Sequence, residues 1–191
     1  MNVIFLDFDG VINSEKWLSK FYNLRKTTTE NTKFYNLEVK DPTKIDLYWA
    51  NSMDYRLISK LAMALKKIPN AKVVLSTSWR DLYTTEKWNE LFNNVVGWET
   101  EIIGKTPKNL DATIIPVLNL GELIHGFKAT EHSRGIEVAA WLKTNSVANY
   151  AILDDFDDFL EVQADHFILT DPTIGLTDEN LKALIKIFER E

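Results

Sequence analysis

The chain has no cysteine, three histidines, and only seven glycines and five prolines in 191 residues. Without thiols, a disulfide scaffold, a thiolate zinc site and a cysteine nucleophile are all excluded. The histidines, His125, His132 and His166, lack metal-ligand spacing. No apolar run approaches the roughly 20 residues needed to cross a bilayer, so no membrane partner is expected. The opening stretch MNVIFLDFDG has no basic leader and is interrupted by Asp7, so it does not read as a signal peptide. A soluble, cytoplasmic protein is the expectation. Positive charge is also short. The net charge of −6 argues against a generally basic nucleic-acid binder. The imbalance is local, however: residues 16–44 hold seven Lys/Arg against three acids, leaving the rest near −10.

What is present is core-forming material. The chain is 45% hydrophobic and 12% aromatic, enough to offset chain entropy and exclude disorder. There is no internal repeat and no Gly/Ser linker. The length suits one domain, with residues 14–50, aromatic, basic and without steady periodicity, as a small inserted cap or lid.

Short apolar runs alternate with helical patterns. VIFL (3–6), AKVVL (71–75), YAIL (150–153) and Phe167–Leu169 predict buried strands, and EIIG (101–104) a short edge strand. Between them, Leu57, Ile58, Leu61, Ala62, Leu65 and Ile68 fall at helical spacing behind Asp54, with Pro69 as the stop. Residues 84–93 predict a helix capped by threonine. A third helix is expected from a Ser133 cap to about Thr144, with Trp141 in the core, and a last one opens at Thr177. Alternation of this kind implies right-handed crossovers and an α/β fold, a Rossmann-like three-layer sandwich with a mostly parallel sheet.

In such a sheet, ligands bind beyond the carboxyl ends of the strands. Three strands here run out into polar residues: Asp7 and Asp9, Ser76 and Thr77, Asp154 and Asp155. If those strands are neighbours, four carboxylates and two hydroxyls converge. Clustered carboxylates repel one another unless a cation neutralises them. Oxygen donors without thiolate or imidazole favour a hard ion, Mg²⁺ before Ca²⁺. Such a site suits attack by a carboxylate on a phosphoryl group, a second carboxyl group moving the proton. Asp157 and Asp158 are expected to face solvent or a helix N-terminus, with Asp158 a candidate outer partner of the site. Trp79 is expected to pack in the core or to stack on a base.

Asp7-Phe8-Asp9-Gly10 after an apolar strand resembles the first motif of the haloacid dehalogenase (HAD) superfamily of phosphatases. The resemblance implies that Asp7 is the nucleophile and Asp9 the general acid/base, with the Asp9 carbonyl completing a Mg²⁺ site. It implies a phosphate-binding hydroxyl at Ser76 or Thr77, the register being open, and a metal-binding pair at Asp154 and Asp155. The family's cation is met by Arg134, twenty residues before Asp154, with Lys105 the second candidate. The strings VVLSTSWR, IIGKTP, SRGIEVAAWL, AILDD and LTDPTIGLTDENL are similar to the HAD-type domain of Swiss Army Knife RNA-repair proteins. That likeness implies Arg80 as a second cation at the phosphate pocket and a phosphate at an RNA end as substrate.

The expected activity is thus Mg²⁺-dependent hydrolysis of a phosphomonoester, on a phosphorylated small molecule or a nucleic-acid end. The alternative is a non-catalytic domain that holds a phosphate or RNA end; Asp9 speaks against it, because binding needs no general acid. A dehalogenase is disfavoured because those members lack the second aspartate of the first motif. Lys16-Trp17, Lys20-Phe21-Tyr22, Arg25-Lys26 and Lys33-Phe34-Tyr35 interleave cations with aromatics, which suits either a lid or a groove tracking a phosphate backbone. Oligomeric state is not legible.

Overall fold

A computed structural model describes residues 1–19, 40–41, 53–95, 97–108 and 134–189. Most of the expected insertion, the Ser133 cap, His125 and His132 lie outside the described residues.

Among the described residues five strands form one wholly parallel sheet: β1 (Asn2–Leu6), β2 (Ala71–Leu75), β3 (Ile102–Lys105), β4 (Asn149–Asp154) and β5 (Phe167–Leu169), in the order β3-β2-β1-β4-β5. The runs expected at 3–6, 71–75, 150–153 and 167–169 form β1, β2, β4 and β5, and 102–105 takes one edge of the sheet with β5 at the other. The β4 strand runs one residue further than its apolar run, so Asp154 is itself in the ladder.

Side chains alternate across the sheet and meet a different helix layer on each face. Ile4, Leu6, Val73, Leu75, Ala151 and Leu153 pack with helices α1 (Tyr55–Leu65), α2 (Thr85–Asn93) and α4 (Asp178–Glu189). Val3, Phe5, Val74 and Ile152 pack with α3 (Arg134–Thr144), where Trp141 meets Phe5 edge-on at 5.4 Å. The result is a three-layer α/β sandwich.

Polar residues set the helix starts. Asp54 accepts from the Arg56 backbone N–H at 3.1 Å, Thr84 from that of Lys87 at 3.2 Å, and Thr177 from that of Asn180 at 3.1 Å. The α1 helix ends at Leu65, ahead of Pro69, and residues 66–70 turn the chain into β2. Among the described residues no helix is long and apolar enough to cross a membrane.

Candidate active site

Register alone brings the first three groups together. Leu6 lies opposite Leu75 on one side and Leu153 on the other. The ladder continues past the strand end, with Asp7 N–H donating to Leu153 O at 3.0 Å and Ser76 N–H to Leu6 O at 2.9 Å. Asp7, Ser76 and Asp154 therefore stand side by side. By the period of two they belong to the face of Phe5, Val74 and Ile152, which is the face covered by α3. Arg134 is the first residue of that helix.

Carboxylate oxygens of Asp7, Asp154 and Asp155 lie within 4.8 Å of one another. Asp7 and Asp154 are buried, and Asp155 is half-buried. The Arg134 guanidinium lies 3.8 Å from Asp7 Oδ2 and also donates to the Ser76 carbonyl. Gly10, at φ +69°, carries the chain past Asp155 where a Cβ would overlap that carboxylate.

The electrostatics follow from burial. Desolvation pushes the Asp7 carboxyl group up to about 6, against the pull of Arg134, the Phe8 N–H and the Thr77 hydroxyl. Asp154 is pushed up to about 8, first by desolvation and then by the Asp7 charge. Asp155 is raised as well, again mainly by burial. The three carboxyl groups meet without enough positive charge among the described residues to keep them all ionised.

Among the described residues, Asp154 Oδ2 and Ser76 Oγ beside the cluster are buried without a hydrogen bond. Buried polar atoms are ordinarily paired, so each marks a place where a ligand would complete the bonding. An acceptor oxygen among three carboxylates fits a hard cation, and a hydroxyl beside them fits a phosphoryl oxygen.

The neighbouring candidates are held differently. The Thr77 hydroxyl accepts from the Trp79 N–H at 3.3 Å and bonds Asp7, leaving Ser76 as the hydroxyl with bonding capacity. Arg80 is buried behind the β2 loop, where it donates to Glu137 Oε2 at 2.8 Å and to the carbonyls of Thr77 and Pro107. Lys105 donates to Tyr83 O at 2.7 Å. It pairs with Leu75 in the sheet and so shares Leu75's face, opposite to Asp7. Arg134 is brought to the carboxylates; Lys105 and Arg80 are not.

Asp9 lies beside the cluster, where Oδ1 accepts from Asn13 Nδ2 and Oδ2 from the Trp79 indole N–H, both at 2.8 Å. The sequence points to no role for Asn13, and for Trp79 to core packing or stacking on a base and not to a bond with Asp9. Trp79 is half-buried rather than fully packed away. Asp158 meets the first turn of α3, its carboxylate accepting from Arg134 N at 3.2 Å and its carbonyl from Gly135 N at 2.9 Å. His166 is away from these groups, stacked on Tyr150 with Nδ1 2.8 Å from the Tyr150 carbonyl.

A wholly parallel α/β sheet with an acidic cluster, a hydroxyl and a guanidinium at its carboxyl edge defines a HAD-like domain, whose chemistry is phosphatase-like. The family model described as the HAD domain in Swiss Army Knife RNA repair proteins matches residues 3–181, and the chain belongs to that family. Neither a curated protein nor a solved structure gave a match.

Proposed function

We propose that this protein is a Mg²⁺-dependent phosphomonoester hydrolase that works through an aspartyl-phosphate on nucleic-acid ends or nucleotides. The observation that carries the reading is the meeting of Asp7, Asp154 and Asp155 within 4.8 Å, with Arg134 against Asp7. The residues fit the ion: three carboxylates, one with an unpaired buried oxygen, form an all-oxygen donor set. Asp7, Asp154, Asp155 and the Asp9 carbonyl would hold it. When bound, Mg²⁺ supplies positive charge that relieves repulsion between a carboxylate nucleophile and an anionic phosphoryl group.

The chain's own groups divide the work. An Asp7 carboxylate oxygen attacks phosphorus and the bond to the leaving oxygen breaks, while Asp9 gives that oxygen its proton. The Asp9 carboxylate then takes a proton from water, whose oxygen attacks the same phosphorus and releases Asp7. The Ser76 hydroxyl donates to a phosphoryl oxygen, and Arg134 offsets its charge. Residues 14–50 follow the first motif directly, the position of a lid, and their interleaved cations and aromatics suit instead the phosphate backbone of a longer substrate, a choice that the experiment below decides.

The test is hydrolysis of a panel containing p-nitrophenyl phosphate and 3′- and 5′-phosphorylated RNA and DNA oligonucleotides. Asp7→Asn is expected to lower Mg²⁺-dependent turnover by at least about a thousandfold, as loss of a nucleophile does. Full turnover in that variant removes Asp7 from the chemistry. Salt-sensitive oligonucleotide binding without hydrolysis would indicate a domain that only holds the phosphorylated end. A preference for oligonucleotides that is lost on neutralising Lys16, Lys20, Arg25 and Lys26 ties the basic segment to recognition.

A further inference from the structure

Asp9 is the proton carrier in the cycle above, so whatever fixes its carboxylate fixes where the proton goes. Its two oxygens are held by donors from separate stretches of chain, Asn13 from the first-motif loop and Trp79 from the loop after β2. Both donors are themselves anchored. Asn13 is buried, and its carbonyl accepts from Gly10 N at 2.9 Å. Trp79 is seated by its backbone N–H on the Thr77 hydroxyl and by an inclined contact of its ring with Phe8, 6.3 Å between centroids. The turn 76–79 thus touches the nucleophile through Thr77 and the proton carrier through Trp79, and it presents the unpaired Ser76 hydroxyl.

An aspartate side chain has two free torsions, and one hydrogen bond to each oxygen fixes both. The indole nitrogen is a donor only, so Trp79 cannot carry the proton onward. Its contribution is direction. A half-buried indole N–H seeks an acceptor, and here the acceptor is the Asp9 carboxylate, on the oxygen that Asn13 does not hold.

We propose that Trp79 is a positioning residue for Asp9: its indole N–H holds the carboxyl group in the orientation that delivers a proton to the leaving oxygen. The inference rests on the phosphatase reading. In the first step the P–O bond to the leaving group breaks as the Asp9 proton moves to that oxygen. The indole N–H is then retained by the resulting carboxylate, which receives a proton from water in the second step.

A residue acting this way matters most where the leaving group needs the proton. The p-nitrophenolate anion leaves without one, whereas an alkoxide does not. The experiment compares kcat/KM for p-nitrophenyl phosphate and benzyl phosphate, two esters of similar shape, in the wild type, Asp7→Asn and Trp79→Phe. In Trp79→Phe the ratio of benzyl to p-nitrophenyl kcat/KM is expected to fall about tenfold, as loss of one charge-assisted hydrogen bond implies. A merely structural role would lower both values together. A ratio within about twofold of wild type in a folded, active variant overturns the inference alone. So does wild-type turnover of the p-nitrophenyl ester only, because no proton then reaches an alkoxide. Turnover of neither ester by the wild type, or of both by Asp7→Asn, removes the phosphatase reading and the inference with it.

If Trp79→Phe does not fold, incorporation of 3-benzothienylalanine at this position keeps the ring's shape and removes only the donor, with the same fall expected. The contact has an independent readout in the Trp79 indole N–H resonance, which is expected to move upfield in Asp9→Ala. An unmoved resonance overturns the inference whatever the kinetics show.

Discussion

Asp154 combines two opposing demands. Burial and the neighbouring Asp7 charge push its carboxyl group up to about 8 from an ordinary 3.8, while the chemistry of the cluster asks for a carboxylate. A group whose folded-state value is raised prefers its proton in the native state. Its contribution to stability is therefore fully present below the unfolded value near 4 and is lost as pH rises through about 8. Asp7, raised to about 6, acts in the same direction over a narrower window. Metal-free protein is expected to lose stability as pH is raised from 5 to 8, measured as Tm in the presence of a chelator. Asp154→Asn, which cannot ionise, is expected to flatten that slope. It should also raise Tm near pH 8 by about 3 °C per kcal/mol of repulsion relieved. An equally steep slope in Asp154→Asn would show that the pH dependence arises elsewhere.

The same residues show what the sequence makes legible. Asp7, Ser76 and Asp154 follow apolar runs that end together, so their meeting follows from strand ends and a parallel sheet. The choice between Arg134 and Lys105 needed one step more, the pairing of Lys105 with Leu75. That register puts Lys105 on the face opposite Asp7. It depends on an irregularity between Val73 and Val74 in the β2–β3 ladder, which no periodicity in IIGK announces. The Trp79 bond to Asp9 spans 70 residues and is set by the turn after β2, so local pattern gives no sign of it.

At the scale of elements, the first turn of α3 is held from two sides. Asp158 accepts from its leading N–H groups, and Gln163 donates to Gly135 O at 2.9 Å while accepting from Leu160 N. Gly135 is required there, because a Cβ would press on the backbone of Phe159 and Leu160. Gln163 lies in a 3₁₀ helix, Glu161–His166, whose EVQADH has no apolar period, and the sequence did not announce it. On the other side Glu137, one turn into α3, meets Arg80 at 2.8 Å with both side chains buried. Desolvation lowers Arg80 and raises Glu137 despite their attraction, so the pair adds little net stability, yet neither charge can be left alone. Glu137→Ala is expected to cost about 3–5 kcal/mol by stranding the guanidinium. Replacing both residues with Met should recover much of that loss. Urea midpoints of the two variants check this, and a single variant no less stable than the double would refute it. Because the pair ties α3 to the loop after β2, the single variant should also loosen Arg134 and reduce phosphate-ester turnover.

Across the whole molecule, the fold concentrates like charge at one edge of its sheet. Residues 7, 154 and 155 come from two strand ends far apart in sequence, and the parallel register holds them together whether or not their charges are balanced. Repulsion there is borne by the contacts that hold β1 to β4, so a ligand that neutralises the cluster must stabilise the native chain as a whole. Ligand binding to the native state adds about 2.7 kcal/mol at a hundredfold excess over Kd. For a chain of this size that is roughly 5–10 °C in Tm. Mg²⁺ is expected to produce such a rise at pH 7–8, and a chelator to reverse it. The rise should shrink as pH falls through the raised values of Asp154 and Asp7, because protons then compete for the same oxygens. Potassium chloride at equal ionic strength separates site binding from general screening. If it reproduces the effect, or if Asp154→Asn retains the full rise with Mg²⁺, the ion is not held by these carboxylates.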